Sequence, residues 1–96
     1  MLFIAACSRN EVSREAINVL DKLSKNVAVG DDVNDALAFL KREGWSYDYD
    51  ELRKAYGAGI IIEERNGKIL HLVIVKIFIT SDEKVGRFEV KDAWAP

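Results

Sequence analysis

Apolar residues recur at two different spacings along this chain, and the change of period divides it into a helical half and a stranded half. Residues 1–7 open with an unbroken apolar run that predicts a first strand, in which Ala5 and Ala6 let a helix pack closely. Ser8 followed by Glu11 matches a capping box. Val12, Ala16, Val19, Leu20 and Leu23 then fall three or four positions apart, which predicts a helix over 9–25. Residues 27–30 read as a short strand or a buried connection. Asp31 or Asp32 is placed to cap a second helix, and Asp32 with Asp35 resembles a capping box; its inner stripe is Val33, Ala36, Leu37 and Leu40, with Phe39 at its edge. Gly44, after Lys41 and Arg42, supplies its stop. A third helix of about two turns is predicted over 50–56, with Leu52, Ala55 and Tyr56 inward and Gly57 and Gly59 ending it.

Beyond this point the period changes to that of strands. Asn66-Gly67 lies between two β-rich runs, 60–65 and 68–80, and predicts an antiparallel hairpin with a two-residue type I′ turn. The run 69–79 is apolar at almost every position, so burial on both faces is expected: helices on one side and a partner subunit on the other. A turn over 81–84 leads to a last strand over 85–90, with Phe88 and Val90 on one side and Arg87, Glu89 and Lys91 on the other. Residues 92–96 read as a short C-terminal tail.

The expected architecture is α+β, one globular domain over 1–96. Two layers are expected: a mainly antiparallel sheet of about four strands with about two or three helices on one face, in the order β-α-α-α-β-β-β.

Composition narrows the functional classes. Fourteen Lys and Arg stand against sixteen Asp and Glu, a formal net charge of -2. Duplex-binding modules carry a surplus of positive charge to neutralise phosphates, and this chain has none. The apolar opening is too short to span a membrane and lacks the basic leader of a secretory signal, so a cytoplasmic protein without membrane attachment is expected.

Candidate chemistry is sparse. Cys7 is the only cysteine, which rules out an intrachain disulfide and a cysteine-rich zinc site. It precedes the expected start of the first helix, where a thiol pKa is lowered, yet a lone cysteine ending an apolar strand also fits as a small core residue. His71 is the only histidine and sits inside the long β run, where a core or interface role with a local hydrogen bond competes with a catalytic base. Thiolate–imidazole chemistry would need Cys7 and His71 in contact. Asp31, Asp32 and Asp35, and Asp48, Asp50 and Glu51, are explained by helix N-termini rather than by metal. No glycine-rich phosphate loop occurs, and neither a cofactor nor a metal is expected.

The densest aromatic region, Trp45, Tyr47, Tyr49 and Tyr56, suits a protein-facing patch. The leading reading is therefore a small soluble interaction or regulatory module, without a defined catalytic activity, that works through protein contacts as a homodimer or with another protein. The alternative is a winged helix-turn-helix order, with 50–56 in the recognition position, Asn66-Gly67 at the wing tip, and Arg53, Lys54, Arg65 and Lys68 facing phosphates. A small thiol-dependent enzyme using Cys7 is the third reading.

Overall fold

The computed structural model describes residues 12–95, so the expected first strand over 1–7, the Ser8–Glu11 capping box and Cys7 lie outside the described residues. Two helices, α1 (Arg14–Asn26) and α2 (Val33–Arg42), precede four strands: β1 (Tyr47–Asp50), β2 (Ala55–Arg65), β3 (Lys68–Ile79) and β4 (Val85–Trp94). The strands form one antiparallel sheet in the order β1-β2-β3-β4, so every connection is local.

Helix α1 starts later than its periodicity suggests. Ser13 has extended backbone and its hydroxyl accepts the Ala16 amide at 3.0 Å, making it the N-cap. Ala16, Val19 and Leu23 form the buried stripe, while Val12 and Leu20 are exposed. Asp32 caps α2 by accepting the Asn34 amide at 2.8 Å. Gly44, at φ 77°, ends it in the left-handed conformation typical of a residue just past a helix.

The helix expected over 50–56 does not form. The Asp50 carboxylate accepts the amides of Leu52 and Arg53, which closes a turn, and Lys54 takes a left-handed φ of 51° that no continuing helix allows. Leu52 is 95% exposed rather than inward. Tyr47 and Tyr49 instead pair across to Ala58 and Tyr56, so this segment joins the sheet. The tail expected over 92–96 is likewise strand as far as Trp94, paired with His71.

The long apolar run resolves into two faces. His71, Val73, Val75 and Ile77 point toward the helices and are buried with Ala16, Leu23, Phe39 and Leu40. Leu70, Leu72, Ile74, Lys76 and Phe78 occupy the other face and are half-buried. Both helices therefore cover one face only.

The two ends of α1 are tied to the two ends of β4. At the start, Ser13 bonds to Asp92. At the far end, the connection to α2 pairs with the beginning of the strand: Gly30 N–H donates to Val85 O, and Val85 N–H donates to Asp31 O, each at 2.8 Å. Asp32 and Lys84 form a further bridge.

The Asn66-Gly67 hairpin has both central residues at positive φ, 54° and 78°, as a type I′ turn requires. Gly67→Val should therefore lower stability by about 1–2 kcal/mol, read from the urea midpoint. Asn66→Gly, which keeps the conformation accessible, should leave the midpoint nearly unchanged.

Candidate functional site

The buried polar groups gather where α1 meets the sheet. The strand period that turns Phe88 and Val90 inward continues through Asp92 and Trp94. Asp92 Oδ1 accepts the Ser13 hydroxyl at 2.5 Å and lies 2.6 Å from His71 Nε2, while Oδ2 accepts the Ser13 amide at 2.9 Å. A carboxylate offers no proton, so Nε2 carries the hydrogen of the histidine contact. His71 is 3% exposed, and Trp94 stacks on its ring with centroids 3.6 Å apart and planes 12° from parallel. Burial pushes the Asp92 carboxyl upward. The Ser13 hydroxyl, the Ser13 amide and His71 outweigh that effect and hold its pKa below the usual value.

Serine, histidine and aspartate meet here in the wrong order for acyl transfer. A nucleophilic serine needs the imidazole between itself and the carboxylate. In this cluster the carboxylate is in the middle, and the serine hydroxyl is engaged twice, donating to Asp92 and accepting from Ala16. The cluster clamps the helix cap to the sheet. His71 thus has the local hydrogen bond expected of a core histidine, while the pairing of Cys7 with His71 falls outside the described residues.

The aromatic residues divide into two groups. Trp45 packs edge-on to Phe39 of α2 at 5.6 Å, extending the core. Tyr47, Tyr49 and Tyr56 cluster on the helix side of β1 and β2, with Tyr56 at 5.8 Å from Tyr47 and 4.8 Å from Tyr49. Beside them an open cleft of about 310 Å³ runs between Tyr49, Tyr56 and Lys54 on one side and Thr80, Ser81 and Glu83 on the other.

The four residues proposed to face phosphate do not form one surface. Arg53 and Lys54 precede β2, and Arg65 and Lys68 flank its other end, separated by ten residue steps or roughly 30 Å. Arg53 is paired with Asp50, and Arg65 with Glu63. The recognition position of the winged-helix reading holds a turn and the start of β2.

The sheet face turned away from the helices carries the remaining candidate surface. Cross-strand register places Gly57 beside Lys76 and Glu89, Gly59 beside Ile74 and Lys91, and Ile61 beside Leu72 and Ala93. Leu72 leans over Gly59, where an added Cβ would sit 3.3 Å from its Cδ1. Gly57 has no such cover. It lies in a hollow of about 180 Å³ bounded by Asp48, Asp50, Arg53 and Lys76. At one corner Arg87 stacks on the Phe78 ring, 3.7 Å from its centroid.

The sequence pattern alone marks neither Ser13 nor Asp92, and offers Trp94 only as an aromatic in the expected tail. The available signal was the even-numbered inward period of 88, 90, 92 and 94, which puts a carboxylate in an apolar row. Gly57 and Gly59, two positions apart, end no helix and form the flat part of a strand face instead. Among the described residues, no group of three or more potential metal ligands comes together and no helix is long and apolar enough to cross a membrane.

Comparison with known proteins adds no relative: no family model, curated protein or solved structure matches this chain.

Removing the clamp should be felt directly in stability. Asp92→Ala leaves the Ser13 amide and His71 Nε2 without their acceptor and should cost about 2–3 kcal/mol. Because the folded-state pKa is depressed, the carboxylate's contribution is complete above its unfolded value, about 3.9. It is lost as pH falls through the lower folded value. Urea midpoints of the wild type and Asp92→Asn should thus differ near neutrality and converge below about pH 4. A gap that stays constant into acid would show that the ionised carboxylate is not the stabilising species.

Proposed function

We propose that this protein is a small interaction module whose contact surface is the open face of its sheet. The observation that carries the reading is the central apolar patch of Leu70, Leu72, Ile74, Ile61 and Ala93, which no described element covers. A sheet with helices on one side commonly has a polar opposite face, so an apolar one suggests a contact surface. Charges of both signs flank the patch, with Lys76, Arg87 and Lys91 beside Asp48, Asp50 and Glu89. Such an arrangement lets two copies meet face to face about a two-fold axis, so a second copy is the first partner this surface fits. The tyrosine cluster borders the sheet's other face and is not needed for that contact.

Sedimentation of the purified chain from micromolar to millimolar concentration tests the reading. A reversible dimer is expected, abolished by Leu72→Asp and weakened by Gly57→Val. An added Cβ at Gly57 meets nothing nearer than the Val75 carbonyl at 4.0 Å, so valine there alters the surface and spares the fold. A chain that stays monomeric throughout rejects the second copy as partner. A dimer indifferent to both substitutions rejects this face as the interface.

A further inference from the structure

Lys54 and Glu83 stand on opposite rims of the cleft between the turns at 51–54 and 81–84. Both have positive φ, 51° and 61°, which among the described non-glycine residues only Asn66 of the hairpin turn shares. A turn alone favours glycine or asparagine at such a position, because a longer side chain there is strained. Two long, oppositely charged side chains in strained backbone point to a use for the charges. Their neighbours are already paired, Arg53 with Asp50 and Lys84 with Asp32. Among the described residues, no ion pair engages Lys54 or Glu83.

Between the two charges the cleft is apolar and aromatic, lined by Val33, Ile79, Tyr49 and Tyr56. The tyrosine rings lie 4.8 Å apart and are tilted by 51°, and Tyr49 is 48% exposed, so ring surface is open to a ligand. Backbone bonds fix both rims. Ile79 N–H donates to Lys54 O at 2.9 Å, which ties one rim to the sheet. Val33 N–H donates to Glu83 O at 3.1 Å, which ties the other to α2. The Thr80 hydroxyl accepts the Lys84 amide and closes the second turn. A preformed site loses little ordering entropy on binding. Its volume of about 310 Å³ is at the lower end for small-molecule sites, which suits a compact metabolite.

We propose that this cleft binds a free aromatic α-amino acid. The ligand's ring packs on Tyr49 and Tyr56 in the offset or edge-to-face manner that aromatic pairs prefer. Its α-carboxylate meets Lys54 and its α-ammonium meets Glu83, since long side chains from the two rims can converge on one zwitterionic end. A ligand carrying a single charge leaves the opposite rim group unanswered, so the site selects a zwitterion over a simple acid or amine. The cleft lies on the helix side of the sheet, away from the open face, and the inference does not rest on dimer formation.

Titration of the isotope-labelled protein with L-phenylalanine at neutral pH, followed through amide NMR shifts, tests the site. Saturable shifts are expected at Tyr56, Ile79 and Ser81, with a Kd below about 1 mM. Phenylpropionate, which lacks the ammonium, and phenylethylamine, which lacks the carboxylate, should each bind at least about tenfold more weakly. Lys54→Gln should bind L-phenylalanine and phenylethylamine alike, and Glu83→Gln should bind L-phenylalanine and phenylpropionate alike. Both side chains are exposed, so the melting temperature should not change. Absence of saturable shifts with L-phenylalanine overturns the proposal, as does either analogue binding the wild type equally well. These comparisons use the unaltered chain and hold even where a variant folds poorly. Shifts gathered around Gly57 and Lys76 place the ligand on the open face and overturn it too. A monomeric chain can still bind the amino acid, so this test and the sedimentation test fail separately.

Discussion

The packing of α1 along β4 is the constraint on which the rest of the fold depends. Thirteen helical residues span about 20 Å, and the seven steps from Val85 to Asp92 span about 23 Å. Helix and strand therefore match in length, and each end can be fastened. One end is closed by backbone pairing of Gly30 and Asp31 with Val85, the other by the Asp92 carboxylate on the Ser13 cap. The second fastening needs a buried charge, which is costly without partners. Three donors converge on the two oxygens, and His71 is held in turn by the Trp94 stack. With both ends fixed, Ala16, Val19 and Leu23 lie against Val73 and Val75, and the core closes.

The parts of the fold governed by local chemistry were legible in the sequence. The Asn66-Gly67 hairpin, a cap at Asp31 or Asp32, the Gly44 stop and the turn over 81–84 each rest on one or two residues whose conformational preference is strong, and the structure places the cap at Asp32. Parts decided by distant partners were not. Ser13 caps α1 because Asp92, 79 positions away in sequence, holds it. Residues 50–56 contain good helix formers, yet Asp50 captures two amides locally and β2 offers Tyr47 and Tyr49 a strand to pair with. Tertiary pairing overrode propensity there, as it commonly does in short segments.

The candidate surface was half legible for a related reason. A strand apolar at nearly every position signals two-sided burial, but it does not say what supplies the second side. Register supplies that information. It places the apolar half of the outer face at Ile61, Leu72, Ile74 and Ala93 and the charged half at Asp48, Lys76, Arg87 and Glu89. Gly57 and Gly59 belong to this geometry. Without side chains they lower the middle of β2, so Leu72 can lie across Gly59 while Gly57 leaves a hollow among charges. A face with an apolar half beside a recess is better suited to a contacting partner than to bulk solvent.

The clamp and the open face make compatible demands on the molecule. Ser13, Trp94 and the hairpin tip lie at one end of the strands, and the turns at 51–54 and 81–84 lie at the other. Helices α1 and α2 occupy one side of the sheet, and the opposite side is the one that no described element covers. Both fastenings of α1 are made along β4, through Asp92 at one end and Val85 at the other. A partner on the open face therefore meets strands whose register is already set, and little ordering remains to be done on binding.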